Sequence, residues 1–271
     1  MKKGTKAILA GAMALTMGAS LTAAVGCGYK PITVGEARKI VVGITEYKPM
    51  DYKDEGGNWT GFDYELSKTV LESLGFTVEY RVIDWDTKTV TLNAQEIDVI
   101  WNGMTITEDL QTNLLLSDPY LINRQYGVVK AENREKYTDA ESLKDAAVAV
   151  ETGSAAQGLM LNEDESTNCK TLNRASNQNS AVMEVAAGTS DVAIVDYLLA
   201  ISLTTGENSA YKDTLVAVDL GFAAEEFAVG FRKKDVDFCK AVNDKIKALY
   251  ADGTVAALAE KYGIAGQLVQ A

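Results

Sequence analysis

Runs of β-branched residues alternate with stretches of helical periodicity along the whole chain. "KIVVGI" (39–44) reads as a strand. In "GFDYELSKTVLESLG", Phe62, Leu66, Val70 and Leu74 recur four apart, which places one apolar stripe along a helix. The alternation continues through "FTVEYRVI" as a strand, a helix over about 87–95, the strand "IDVIW" and a short helix from Glu108. A second series follows "SDPYLINRQYGVVK". Its strands are "AAVAV" (146–150), "CKTL" (169–172) and "DVAIV" (191–195), each leading into a helical pattern such as "NQNSAVMEVAAG". The chain returns through "EEFAVGFRK" and finishes in two helices, "DVDFCKAVNDKIKALYADG" and "TVAALAEKYG".

This βαβ alternation favours open, mostly parallel sheets with helices on both faces, and two such series imply two lobes. A late strand and the terminal helices joining the first sheet make that lobe discontinuous, 38–125 with 227–271, around a second lobe over 126–226. The chain then crosses between lobes near 125–127 and 225–227. With three prolines and no Ser/Gly-rich linker, the crossings are short. No short internal repeat is visible.

The first thirty residues, "MKKGTKAILAGAMALTMGASLTAAVGCGYK", differ from the rest. Lys2, Lys3 and Lys6 precede an apolar stretch and small residues, the pattern of an export signal over 1–26. Its end, "AVGC", resembles the lipobox of bacterial lipoproteins, with Ala24 in place of the usual Leu. That resemblance implies cleavage before Cys27 and a diacylglyceryl group on its thiol, with 27–37 as the tether. Two acyl chains hold a membrane firmly where one binds marginally, so the body would sit at the outer face of the cytoplasmic membrane. The alternative is an ordinary secretory signal with a chance cysteine. After residue 30 the apolar runs are a few residues long and broken by charges, so no span is expected.

Removing Lys2, Lys3 and Lys6 leaves 23 basic against 38 acidic residues, a net charge of −15 over 27–271. Such a surface repels nucleic acid and anionic headgroups, and neither is expected as a partner. The chain has no histidine and no CxxC spacing, which removes the commonest general base and the commonest metal ligands; no metal or cofactor is expected. Cys169 and Cys239 read as small buried hydrophobes in different lobes.

The Gly-Phe-Asp helix start at 61–63 resembles that of the bacterial family 3 solute-binding proteins, the polar amino acid receptors of ABC importers. "DVIWNGMTIT", "LSDPY", "VAVETGSAA", "GTSDVAIVD", "EEFAVGFRK" and "ADGTVAALAEKYG" follow in the family's order, seven segments in register over essentially all of the mature chain. The resemblance implies a periplasmic-binding-protein-like (type II) Venus flytrap, two α/β lobes each with a mixed, mostly parallel sheet flanked by helices. It also implies capture of a polar amino acid or related zwitterion and delivery to ABC permease subunits, by a monomer outside the cytoplasm.

Ligands of open α/β sheets sit beyond the carboxyl ends of the strands. By the resemblance, Asn102, Gly103, Met104 and Thr105 line the cleft, Gly103 letting a ligand approach the backbone and Thr105 accepting from an ammonium group. Read alone, the same residues are a tight βα turn with a Thr cap. In "ETGSAA", where a strand gives way to a helix, the N–H groups at 153–156 are expected to hold a carboxylate, Ser154 and Ala155 foremost. Asp196, ending "DVAIVD", is the expected partner of an α-ammonium group, or a helix N-cap, or both. Tyr47 and Trp85 are expected as aromatic walls. Asp84 and Asp86 beside Trp85 argue that its segment reaches the surface, while Trp101 reads as core or a secondary wall.

Leu110 departs from the family, most of whose members carry there an Arg that pairs with the ligand's carboxylate. Three readings remain open: Arg124 substitutes for it, the N–H groups at 153–156 suffice, or the ligand lacks a conventional α-carboxylate. Two other functions share this fold: a dehydratase acting on cyclohexadienyl acids, and the sensing domain of a signalling protein. The first needs a positioned acid and a firmly held carboxylate. The second is expected to continue into a membrane span and an output module.

Overall fold

The first series of elements comprises β1 (Lys39–Ile44), the short pair β2 (Tyr52–Lys53) and β3 (Trp59–Thr60), α1 (Phe62–Ser73), β4 (Thr77–Val82), α2 (Lys88–Asn93), β5 (Val99–Ile100), α3 (Glu108–Asn113) and β6 (Leu115–Leu116). The long strand β7 (Leu121–Lys130) opens a second series: β8 (Ala147–Glu151), α4 (Ala155–Met160), β9 (Thr171–Ala175), α5 (Gln178–Ala187), β10 (Val192–Asp196), α6 (Tyr197–Thr204) and β11 (Leu215–Val218). The chain returns through β12 (Ala224–Phe227) and β13 (Gly230–Phe231) and closes with α7 (Val236–Ala251) and α8 (Thr254–Lys261). The computed structural model describes residues 29–161, 168–206 and 209–269, so the export segment and Cys27 lie outside the described residues. From Pro31 onward the chain is one compact unit.

Two sheets organise it. The first has the order β4-β1-β5-β13-β6, with β1 parallel to both neighbours and β13 antiparallel to β5 and β6. Ile40, Val42 and Ile44 of β1 are fully buried, as a parallel strand covered on both faces requires. Phe62, Leu66 and Val70 of α1 are also fully buried, each such side chain contributing about 1.5–3 kcal/mol. The stripe ends one turn early: Leu74 is the C-cap and only half-buried, and Leu71 takes its place in the core.

The second sheet has the order β11-β7-β10-β8-β9, in which β8 is parallel to β9 and β10 while β7 runs antiparallel to β10 and β11. The strand expected at 169–172 lies at 171–175, because its pairing with β8 runs from Ala147↔Thr171 to Glu151↔Ala175. Cys169 instead packs in the second lobe's apolar cluster, while Cys239 is buried on α7 in another.

The lobes are joined by two adjacent strands. The first half of β7 pairs with β12, from Leu121↔Phe227 to Arg124↔Ala224, and its second half enters the second sheet. Arg232, just after β13, is 4% exposed and bonds Asp98, Asp235 and the carbonyls of Leu92 and Ile97, which fixes the returning chain to the first sheet. The segment before β1 packs on the body of the protein. Ile32 is buried and its N–H donates to Asp235 Oδ1 at 2.9 Å, so the chain is already docked well before residue 37. Among the described residues no helix is long and apolar enough to cross a membrane.

Candidate ligand-binding cleft

The end of β10 and the segments that follow β5 and β8 converge between the lobes on a cavity of ≈ 1040 Å³. Both lobes line it, and hydrogen bonds away from the β7–β12 crossing join them, among them Lys88 Nζ to Gly153 O at 2.8 Å, Asn179 Nδ2 to Glu46 O at 2.8 Å and Ser202 Oγ to Lys48 O at 3.1 Å.

On the first lobe, Asn102, Gly103, Met104 and Thr105 all line the cavity, but their groups are largely committed to the protein. The Asn102 amide donates to Thr45 Oγ1 and accepts from Thr45 N, tying the end of β5 to the end of β1. Thr105 Oγ1 donates to Glu225 Oε2 at 3.1 Å. Gly103 has φ +55°, and its N–H donates to Asp63 Oδ2 at 2.6 Å. A Cβ there would meet the rings of Tyr47 at 2.8 Å and Phe227 at 3.0 Å, so the close approach that requires glycine is made by these rings.

Trp85 is buried in a short 3₁₀ turn capped by Asp84, with Asp84 and Asp86 exposed on either side of it. It lines the cavity, and Lys88 Nζ stands 4.9 Å from its ring centroid. Burial lowers the Lys88 pKa, against the raising influence of Glu151. Leu110 lines the cavity too, 5% exposed in an apolar cluster with Trp85, Leu92, Ile97 and Ile100. Trp101 is core, fully buried beside Tyr120.

On the second lobe Asp196 ends β10, 5% exposed and facing the cavity. Its Oδ1 accepts from Asn123 and from Gln125 Nε2 at 2.8 Å, and its Oδ2 from Gln178. It stands at the N-cap position of α6 but makes no side-chain hydrogen bond to that helix. Burial raises its pKa to about 6, the Gln178 hydrogen bond opposing and Glu225 adding to the rise. Glu151, ending β8, is 3% exposed, and burial followed by the Asp196 charge raises it to about 8.

Ser154 and Ala155 line the cavity at the start of α4, but the loop spends its own donors. Ser154 N and Oγ both donate to Glu151 O, Gly153 N donates to Gln157 Oε1, and Ser154 Oγ accepts from Gln157 N. The expectation that the N–H groups of 153–156 hold a carboxylate is therefore corrected for its first two members.

Two expected residues do not line the cavity. Tyr47 is 2% exposed and outside the cavity lining, because its ring fills the space that Gly103 leaves open. Burial, then the nearby Asp196 and Asp63 charges, raise its pKa. Arg124 points away from the cavity and pairs with Asp219 at 3.3 Å, both half-exposed. Successive side chains of a strand take opposite faces: Asn123 and Gln125 turn toward Asp196 and Glu225, while Arg124 and Tyr126 turn to Asp219. The sequence reading missed Lys88, Gln125, Glu151, Gln178 and Glu225. Glu151 carried a usable signal, an apolar strand ending in an acid, the same signal that exposed Asp196.

A cleft between two hinged α/β lobes, lined by strand-end loops and fixed polar groups, defines a solute-binding protein of the two-lobed type. The chain belongs to the bacterial extracellular solute-binding proteins, family 3, whose sequence profile matches residues 40–265. It is 29% identical over 230 residues to the L-cystine-binding protein TcyJ of Escherichia coli K12, covering 84% of each chain. It is 27% identical to the arginine-binding extracellular protein ArtP of Bacillus subtilis 168, covering 83% of this chain and 86% of that one. Among solved structures, it superposes with a TM-score of 0.75 on a histidine-bound ABC uptake transporter substrate-binding protein from Streptococcus pneumoniae, 27% identical over 83% of this chain and 92% of that one. An ancestral amino acid-binding protein, a precursor of cyclohexadienyl dehydratase, superposes at 0.74 with 31% identity, over 83% and 95%. The fold is thus the type II periplasmic-binding-protein architecture.

Proposed function

We propose that this protein is the extracytoplasmic substrate-binding component of an ABC importer, capturing an amino acid or a close amino-acid relative between its lobes and delivering it to the permease. The observation that carries the reading is Asp196, held by three side-chain amides and facing a cavity that both lobes line. A carboxylate fixed in this way is pre-oriented for an ammonium group. The lobes are 38–125 with 227–271, and 126–226, hinged at β7 and β12. Only contacts made from both sides bias the closed state, so Trp85 has to act together with Asp196.

Anchoring through lipid on Cys27, action as a monomer and binding without catalysis complete the reading. The absence of histidine and the binding-protein relatives favour capture over dehydration or signalling. A thermal-shift screen of amino acids and their amine derivatives, followed by calorimetry on hits, tests it, since a binder of the folded state raises the melting temperature. Stabilisation without turnover supports the proposal. No stabilisation by any of them overturns it, and turnover of a hit replaces it with the enzyme.

A further inference from the structure

The cavity's charge is lopsided. Among the described residues that line it, Asp86, Asp109, Glu151, Asp196, Glu225 and Glu226 are acidic and Lys88 alone is basic. That one cation is already engaged. Its ammonium donates to Trp85 O at 3.1 Å and Gly153 O at 2.8 Å, and lies over the Trp85 ring.

Beyond it, a ligand carboxylate finds the N–H groups of Ala155 and Ala156 and, among the described residues that line the cavity, no second cation. Leu110 is packed among aliphatic and aromatic side chains. Arg124 is outside, paired with Asp219. The N–H groups of Gly153 and Ser154 end on Gln157 and Glu151, and α4 is a helix of 6 residues.

Glu151 points the other way. It is 3% exposed and lines the cavity, yet among the described residues no hydrogen bond or ion pair reaches its carboxylate. Asp196 has three amide donors but no cation within ion-pair distance among the described residues. A buried carboxylate without a counter-charge is costly, and a positive group offsets that cost directly. The Lys88 charge acts on Glu151, but that ammonium gives its hydrogen bonds to Trp85 O and Gly153 O, so positive groups on a ligand would offset both carboxylates further, where a zwitterion would bring back a negative charge.

We propose that the cleft selects an amine bearing two positive groups and no free carboxylate, with Asp196 receiving one group and Glu151 the other. This rests on the reading of the protein as an importer's binding component and names the substrate class of the same site. The chemistry is two ammonium or guanidinium groups joined by an apolar stem, which lies along Trp85, Met104 and Leu110. A decarboxylated basic amino acid supplies it, and so does a basic amino acid whose carboxylate is blocked as an amide.

Matched pairs that differ only in carboxylate test it by calorimetry on the mature protein at neutral pH: lysine against cadaverine, arginine against agmatine, cystine against cystamine, with lysinamide as the blocked form. In at least one comparison the carboxylate-free member is expected to bind at least tenfold tighter. Cadaverine ahead of lysinamide supports the free diamine as source, the reverse supports the blocked amino acid, and both support the proposal. Glu151→Gln is expected to weaken that ligand at least tenfold while retaining the native melting transition; an unchanged affinity removes Glu151 and overturns the assignment. If that variant does not fold, the pairs on the unaltered protein still decide. Tighter binding by the amino acid throughout overturns the proposal and leaves the importer reading standing. Binding by no member of any pair, nor by any other amino acid, overturns both.

Discussion

The ammonium of Lys88, on the first lobe, donates to the carbonyl oxygen of Gly153 on the second at 2.8 Å, and also holds Trp85 O at 3.1 Å on its own side. One side chain thus fastens a wall of the cavity and bridges the two lobes. A hydrogen bond from a charged donor contributes about 1.5–3 kcal/mol, enough to shift an open–closed ratio by roughly tenfold or more. Lys88→Met should therefore move the ligand-free protein toward the open form. Small-angle scattering should record a larger radius of gyration; an unchanged value would mean that Lys88 does not hold the lobes together.

Arg124 is the natural first suspect for the cation missing at Leu110, since it stands beside the strand crossing. Its guanidinium instead pairs with Asp219, with side chains 42% and 44% exposed, on the face of β7 opposite Gln125. Exposed pairs of this kind are worth about 0–1 kcal/mol. Arg124→Ala should leave ligand affinity within about twofold by calorimetry. A larger loss would put Arg124 back into the site and reopen the carboxylate question.

Asp196 presents the opposite case, because its ionised oxygens organise Asn123, Gln125 and Gln178 as well as facing the cavity. Hydrogen bonds to charged groups are worth about 1.5–3 kcal/mol each. Asp196→Asn keeps the volume and removes the charge, so ligand affinity should fall by more than about tenfold while circular dichroism stays native. Retained affinity would dissociate Asp196 from ligand recognition.

How legible the site was depended on which physical level placed each residue. Asp196, Trp85 and Thr105 are local: a strand end or a surface turn sets them where the sequence reading expected. Glu151 carried the same strand-end signal in "AVAVE". Arg124 was misplaced by one residue of parity. "LINRQYGVVK" is polar on both faces over its first half, so only the pairing of Asp196 with Gln125 decides which side chains turn inward. Tyr47 stands behind the cavity wall rather than in it, because its ring occupies the void above Gly103, a contact made across 56 residues. Lys88 and Gln178 acquire their roles from partners far along the chain, on the facing lobe or a neighbouring strand, and no local pattern announces that.

Gly103 separates two reasons for being glycine. With φ +55° and a Cβ position 2.8 Å from the Tyr47 ring and 3.0 Å from the Phe227 ring, an added methyl is both strained and crowded. Strain of this kind costs about 1–3 kcal/mol. Gly103→Ala should therefore lower the melting temperature by several degrees, with a further loss when the Tyr47 ring is displaced. Removing the ring as well, in Gly103→Ala with Tyr47→Ala, should not restore stability, because the fully buried aromatic is lost with it. A melting temperature unchanged in the single variant would show that the turn tolerates the methyl.

Three acids beneath and around the cleft carry raised pKa values, Asp196 to about 6, Asp63 to about 7 and Glu151 to about 8, in each case with burial as the largest cause. Asp63 is fully buried, accepts from Tyr120 Oη at 2.8 Å and from Gly103 N, and lies close to the buried Asp51, whose pKa is also raised. A carboxyl whose folded pKa exceeds its unfolded value, about 4, is favoured neutral by the fold. Its contribution is complete below about pH 4 and disappears as pH rises through the folded pKa. The lowered carboxylates, such as Glu65, act in the acid range below this window. Melting of the ligand-free protein should accordingly shift to lower temperature from pH 5 to pH 8.5. Asp63→Asn, which keeps an acceptor for Gly103 N, should flatten the curve near pH 7, and Glu151→Gln should flatten it near pH 8. A melting temperature that rises across this interval would mean that these acids are ionised and compensated in the folded protein.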